Sequence, residues 1–556
     1  MLLGIDVGGT TTNAVLTDGT AVVAEAAVPT LTHDLAGSVL AALDGVMRDA
    51  RPSEVERIAL STTVITNLLA EDKAERVELV LLPGPGADPA DYELPPAHLI
   101  EGAIDYRGRE IIPLAEDSVR SVGAELRALD CSKVAVVGKF CQRNSTHESR
   151  VRDIFQEECP DMVVECGHLV SGRLNFPRRA ATTLLTMATR DRYKDFAADM
   201  SRALEERGLS APVFVLKADG GTLPLDYSVR TPMETIFSGP AASTMGALAL
   251  GPPGESFIVM DVGGTTTDLA LVLDGRPLLS SKGARVQQLL THVRAFAVKS
   301  VPVGGDSAVR VAQGALTVGP DRMGAPVCLG GPLPTPTDAL RVLGLIGLGD
   351  GAAAHQVLSG LGDALGLDAN AAAQHVVDTV AATLAREVTD MFARWRDEPV
   401  YRVWEVVREQ HARPELLVGV GGGAPALAPA VASRLGVGCL VTEHAPVANA
   451  FGAAVSRPTM SLTLSVDTDQ GNWVTEEDGR AGRLTDLRLS LADAEDMALR
   501  LLAAKVKEAG IGSYAREAEV THSEVFNMVR GWHTIGRLMN VAVEIPAGLL
   551  NDRSRS

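Results

Sequence analysis

Short apolar runs punctuated by Gly, Asp and Thr open the chain: "LLGIDVGGTTTNAVLTDGTAVVAEAAVP" over residues 2–29. That alternation predicts a hairpin or meander of strands, with Asp18-Gly19 as a turn. The apolar spacing in "TLTHDLAGSVLAALDGVMRDA" (30–50) becomes helical, and Thr32 or Asp34 is a suitable cap. "VERIALST" (55–62) and "KVAVVGKF" (133–140) read as strands, "LLPGPGADPADYELPP" (81–96) as a loop, and "HESRVRDIFQEE" (147–158) as a helix. Residues 178–208 form one long helical pattern, or two, suited to crossing between domains. "PVFVLKADGG" (212–221) predicts a strand and turn. Helical patterns fill about 353–412, including the charged stretch "REVTDMFARWRDEPVYRVWEVVREQ", read as a solvated amphipathic helix pair. "ELLVGVGGGAPALAPAVASRLG" (415–436) reads as strand, glycine turn, helix, and the last hundred residues mix strands ("MSLTLSVDT", "RLMNVAVEIP") with one helix near 493–509.

One element of this pattern recurs. The heptapeptide DVGGTTT stands at 6–12 and again at 261–267, each time between apolar runs. A lone copy would read as a tight β-turn with capping threonines. Two copies at domain separation predict a duplicated α/β pair of domains. Glycines let backbone approach a ligand closely, and successive N–H groups in such a turn make an anion-binding concavity suited to phosphate. The Asp ending each strand would repel phosphate but suits Mg²⁺, which bridges carboxylates and phosphates. Two such turns facing each other across a cleft would hold a triphosphate between them. Neither copy fits GxxxxGK[ST], and neither opens a helix as a dinucleotide-binding turn does. The run at Gly421, Gly422 and Gly423 fits either adenosine packing or the plain turn of a doubly wound sheet, and its place after both phosphate turns favours the nucleotide.

The 556 residues exceed the usual size of one core, so two or more domains are expected. A net charge of −19 argues against a general nucleic-acid or anionic-membrane surface. Six dilute cysteines without a CxxC pair, no visible leader and no apolar run long enough to span a bilayer point to a soluble cytoplasmic protein.

Several further stretches resemble the hydantoinase/oxoprolinase A subunits, a branch of the sugar kinase, heat-shock chaperone and actin ATPase superfamily. They are "NSTHESRVRDIF" (144–155), "DGGTLPL" (219–225), "TIFSGPAASTMGA" (235–247), "VPVGGDSAVRV" (301–311), "VGPDRMGAPVCLGGPLPTPTDALRVLGLI" (318–346) and "VGGGAPALAPAVASRLG" (420–436). The resemblance runs from residue 1 to about 460. It implies two actin-like, ribonuclease H-like α/β domains flanking a nucleotide cleft, with inserted and C-terminal α+β segments: 1–177, 178–460 and 461–556. It also implies an ATP- and Mg²⁺-dependent ring opening of a cyclic amide such as a hydantoin, 5-oxoproline or lactam, by phosphorylation of the amide oxygen. A B-type partner subunit and an oligomeric state go with that activity. A small-molecule kinase, a reactivating or chaperone-like ATPase and an actin-like filament protein stay open as alternatives.

Carried over by motif, Asp6, Gly8, Gly9, Thr10, Thr11 and Thr12 would form the first phosphate loop. Asp261, Gly263, Gly264, Thr265, Thr266, Thr267 and Asp268 would form the second, with Gly304 and Gly305 near the γ-phosphate and Gly421 to Gly423 at adenosine. Asp6 and Asp261 would be the metal carboxylates, Asp261 or Asp268 the base, and Ser238-Gly239-Pro240 a hinge. The chain departs from the family at Asn13, where many relatives have Asp, and at Asp306, where glycine is expected. Outside these motifs, His147-Glu148 fit a metal or acid–base pair as well as the first turn of a helix, and Cys166 with His168 offers two soft ligands. Cys328 reads as an inert loop cysteine, and Arg178 and Arg179 as substrate-carboxylate contacts or solvated residues.

Overall fold

A computed structural model describes residues 1–31, 34–48, 50–396, 414–530 and 532–550. Each copy of the repeated heptapeptide builds the corner of an antiparallel hairpin. Leu2–Val7 pairs with Thr11–Thr17, placing Asp6 opposite Asn13. Phe257–Val262 pairs with Thr267–Leu273, placing Asp261 opposite Asp268 in the same register. The other edge of each first strand pairs in parallel, with Arg57–Thr62 in one sheet and Leu416–Val420 in the other. Helices pack on both faces of these first strands, which explains their unbroken apolar runs.

The first sheet runs in the order Thr222–Pro224, Val213–Leu216, Arg57–Thr62, Leu2–Val7, Thr11–Thr17, Val22–Pro29. The second runs Arg276–Pro277, Thr267–Leu273, Phe257–Val262, Leu416–Val420, Gly438–Val441, with Lys299–Val301 also paired to Thr267–Leu273. Each is therefore a three-strand meander continued by parallel strands, the duplication expected from the repeat. Leu35–Val46 and the long helix Phe176–Glu205 cover the first sheet through Val39, Leu43, Met200 and Leu204. Asp34 caps the first of these helices, its Oδ1 accepting from Gly37 N at 2.8 Å. Ala369–Arg396 and Ala424–Leu435 cover the second sheet.

The two sheets are joined through a pair of exchanged helices. Ser238–Leu250 and Ala448–Val455 cross at glycines: a Cβ on Gly246 would lie 2.1 Å from the Ala448 carbonyl oxygen, and one on Gly452 would lie 2.3 Å from Gly246 N. Ala448–Val455 follows the second sheet in sequence yet presses on the first strand of the first, where a Cβ on Gly4 would meet Ala450 O at 1.9 Å. Ser238 ties the other helix to the first sheet, its Oγ donating to Thr62 O at 2.7 Å. Backbones this close leave no room for a methyl group.

Two further layers flank this pair. A parallel sheet of Val163–Cys166, Lys133–Gly138, Glu78–Leu82 and Ala97–Leu99 is inserted after the first unit's opening strands. Its strand Glu78–Leu82 runs into the stretch expected to be loop from residue 81, because Leu81 and Leu82 are buried between parallel neighbours. The C-terminal segment is a five-stranded antiparallel sheet backed by Leu491–Glu508. Its hairpin Glu519–Arg530/His533–Ile545 is longer than the single short strand expected there, because its polar residues lie on a solvated face that hides the apolar signal. The residue 178–208 pattern is one helix, and the region of the expected charged helix pair is described only to Arg396; its remainder, and Thr32, lie outside the described residues.

The glycine crossing gives a direct test. Gly452→Ala should destabilise the protein by about 1–3 kcal/mol through overpacking, read as a lowered Tm, whereas the same change at the open helix position Gly360 should not lower it.

Candidate active site

The ends of the two central strands and the turns that follow them converge beside the crossed helices. In the first turn Gly8 N donates to Thr11 O at 3.1 Å, and in the second Gly263 N donates to Thr266 O at 3.0 Å. Gly9, Thr10 and Thr11 are exposed, as is Gly263, while Gly264, Thr265 and Thr266 are half-buried. These backbones are open to a ligand. The last threonine of each heptapeptide is not: Thr12 is buried with its hydroxyl 2.8 Å from that of Thr30, and Thr267 donates to Val303 O at 2.7 Å. They hold the turns rather than face the opening.

Three carboxylates lie between the turns. Burial pushes Asp6 up to about 6, the Ser61 hydroxyl pulling it the other way and the charge of Asp261 adding to the rise. Burial pushes Asp268 up to about 7, again with a contribution from Asp261. Asp261 is raised by burial too, offset by Asn449 and Ser243. Each sheet thus contributes carboxylates that feel one another. Asn449, from the exchanged helix, donates Nδ2 to Asp261 Oδ2 at 3.2 Å and also stabilises Asp6. Asp268 Oδ1 and Asn449 Oδ1 are buried without a hydrogen-bond partner. Among the described residues no Lys or Arg pairs with the three aspartates. Oxygen donors left unsatisfied beside uncompensated carboxylates are what a hard divalent cation requires. Asn449 was not singled out from sequence, although a lone amide in the otherwise small and apolar run "VANAFGAAV" was a usable signal.

The glycines divide by role. Gly421 adopts φ +85°, and a Cβ there would lie 2.3 Å from Asp261 Oδ1, so only glycine leaves that carboxylate in place. Gly423 N donates to Val262 O at 3.1 Å, and Gly422 is open. Gly304 and Gly305 clip a loop onto the second turn: Gly305 N donates to Gly263 O at 3.0 Å, and Gly304 N to Ser307 Oγ at 2.9 Å. Their N–H groups are spent inside the fold. Ser238 and Gly239 begin the helix Ser238–Leu250, whose N-cap residue Phe237 takes a left-handed φ of 57°.

The other candidates lie elsewhere. Glu148 is wholly buried in the inserted layer, accepting from Gly138 N at 2.7 Å, from His168 N at 2.8 Å and lying 2.6 Å from His168 Nδ1. Cys166 is close enough for the trio to resemble a metal set, but the carboxylate is already consumed and Arg179 lies nearby as counter-charge. It is a hydrogen-bonded hub. His147 pairs with Glu110 at 2.8 Å. Arg179 is completely buried and donates to the carbonyls of Gly138 and Arg173, so it is neither solvated nor open to substrate, whereas Arg178 is half-buried. Cys328 is buried and its thiol is pushed up to about 12 by burial and by Asp338, the state of an inert thiol.

Because folding raises the pKa of Asp6, Asp261 and Asp268, the native protein keeps protons that the unfolded chain releases above about pH 4. Their contribution to stability is greatest below that pH and is lost as pH rises through about 7. Asp268→Asn should therefore stabilise the ligand-free protein by about 1–3 kcal/mol at pH 8. The gain, read as Tm across a pH series, should vanish toward pH 4.

Comparison with known proteins matches these features. The family model described as hydantoinase/oxoprolinase matches residues 179–461, and that of the hydantoinase/oxoprolinase N-terminal region matches 2–159. Caprolactamase subunit alpha from Pseudomonas jessenii is 27% identical over 546 residues, covering 87% of this chain and 76% of its own. Acetophenone carboxylase gamma subunit from Aromatoleum aromaticum is 30% identical, covering 62% of this chain and 53% of its own. In three dimensions the chain is similar to nucleotide-free acetone carboxylase (TM-score 0.72, 20% identity, 98% of this chain and 87% of that one). It is also similar to the ATP-dependent caprolactamase of Pseudomonas jessenii (0.69, 21%, 98% and 87%). Among the described residues no helix is long and apolar enough to cross a membrane. With two actin-like α/β units, a repeated glycine turn and family models over most of its length, the chain belongs to the hydantoinase/oxoprolinase family and is an ATP-using enzyme of that type.

Proposed function

We propose that this chain is the ATPase subunit of a two-subunit enzyme that opens a cyclic amide, of the hydantoin, 5-oxoproline or lactam kind, at the expense of ATP. The observation that carries this reading is the arrangement of two open glycine turns, in one register, around three buried carboxylates that pair with no Lys or Arg among the described residues. The similarity to a caprolactamase alpha subunit along 87% of the chain supports the amide as substrate class.

The exposed backbone of Gly9–Thr11 and of Gly263–Thr266 would cradle the phosphates, and Gly421 to Gly423 would pack on adenosine. Asp6 and Asp261 would hold Mg²⁺, with the orphaned oxygens of Asp268 and Asn449 beside them. The ion supplies charge neutralisation for the triphosphate. The amide oxygen attacks the γ-phosphorus and ADP leaves. ATP, amide and two waters become ADP, phosphate and the ring-opened amino acid: C–N cleavage of the tetrahedral adduct, with a proton to nitrogen, leaves an acyl phosphate that one water hydrolyses, and the adduct itself forms when the other water adds to the activated carbon. Asp268, lifted to about 7, is suited to accept the proton from that water near neutrality. Asp261 keeps the cluster's charge high and shapes the metal site rather than acting as base.

ADP and phosphate release should be measured with Mg-ATP over a panel of hydantoins, 5-oxoproline and lactams, with and without a B-type subunit. One ring compound should stimulate turnover, and Asp261→Ala should reduce it by about 10²-fold or more. Stimulation by a ketone and bicarbonate instead would assign the chain to carboxylation. A stable phosphorylated product without free phosphate would make it a kinase, and stimulation by a protein alone would make it a remodelling ATPase.

A further inference from the structure

The clipped loop over the second phosphate turn carries a charge pair the reaction has not used. Asp306 N donates to Gly264 O at 2.6 Å, and the Asp306 carboxylate lies over the turn itself, 2.7 Å from where a Cβ on Gly264 would stand. An unpaired carboxylate there would repel an incoming phosphate. It is not unpaired: Arg322 Nη2 lies 3.0 Å from Asp306 Oδ2. Arg322 is one-third exposed, so its head group reaches solvent as well as Asp306. Its backbone is fixed, because the preceding residue is tied to the same loop: Ala308 N donates to Asp321 O at 2.9 Å, and Arg310 pairs with Asp321 at 3.1 Å.

Charge balance gives the pair its meaning. A triphosphate would enter a cleft whose three aspartates have no Lys or Arg partner among the described residues, so one divalent ion leaves the site strongly anionic. Guanidinium groups grip phosphate oxygens bidentately, and the charge-assisted bond is roughly twice as strong as a neutral one. Building on the ATP-dependent reading, we propose that Arg322 is the cation that grips the terminal phosphate of ATP. Asp306 parks it over the second turn until the nucleotide arrives and takes it over. The pair then keeps the empty turn neutral and makes the site selective for ATP over ADP.

Binding of Mg-ATP, of a non-hydrolysable ATP analogue and of Mg-ADP should be measured by calorimetry on the full chain, with wild type, Arg322→Ala, Asp306→Gly and the double variant. Arg322→Ala should weaken ATP and its analogue about tenfold or more while changing ADP less than about twofold. Asp306→Gly should tighten ATP, since it frees the arginine and removes a repulsion, and that gain should disappear in the double variant. Equal effects on ATP and ADP, or none on either, would overturn the role of Arg322, and a loss of ATP affinity in Asp306→Gly would overturn that of Asp306. If Arg322→Ala lowers Tm, Arg322→Lys serves as the second variant, expected to recover part of the ATP preference and none if the role is packing alone. Should the wild-type protein bind no ATP, the ATP-dependent reading itself falls, a different result from binding without discrimination.

Discussion

Three aspartates are buried together at the junction of two sheets, with no lysine or arginine paired to them among the described residues, and the cost of burying them is the constraint on which the cleft depends. Burial penalises each charge, and that of Asp261 adds to the rise at the other two, so Asp6 and Asp268 hold protons up to about 6 and 7. Such a site costs stability that packing elsewhere must offset. The offset lies in the exchanged helices, whose backbones approach at Gly246 and Gly452 and whose Asn449 reaches back to the carboxylates. The residues that close the two units are thus neighbours of those that make the cleft costly.

That coupling explains why the glycines behave differently. Gly421 is needed because Asp261 occupies the space of its missing side chain, and Gly304 because the loop it belongs to rests on the carbonyls of Gly263 and Gly264. Neither has a free N–H, and both set the position of the groups around them. The threonines divide likewise, with Thr10 and Thr11 exposed and Thr12 and Thr267 turned inward to Thr30 and Val303. Each repeated turn is thus half open surface and half internal scaffold.

The inserted layer shows how ligand-type residues can be spent on structure. Glu148, Cys166 and His168 have the chemistry of a metal set, which the fold assembles from residues that in sequence read as a His147-Glu148 pair and as two separate soft ligands. In the fold, two backbone donors and the histidine ring take up the carboxylate while Arg179 balances its charge. Residue type proposes a site; satisfaction of each polar atom decides it.

The repeated heptapeptide was enough, as a sequence, to establish two hairpins, their shared register and the pair of turns, because these depend on local alternation and on glycine backbone freedom. The long helix Phe176–Glu205 and the strand–turn–helix at 416–435 were equally legible from spacing alone. Packing decided the rest. That the charge of Asp261 raises the pKa of Asp6 and Asp268, that Asn449 belongs with them, and that Arg322 meets Asp306 depends on the packing of the closed fold. Periodicity reports which face of an element is buried but not what it is buried against. The strength of a charge interaction is set by distance and surroundings that exist only after the two sheets have closed on their crossed helices.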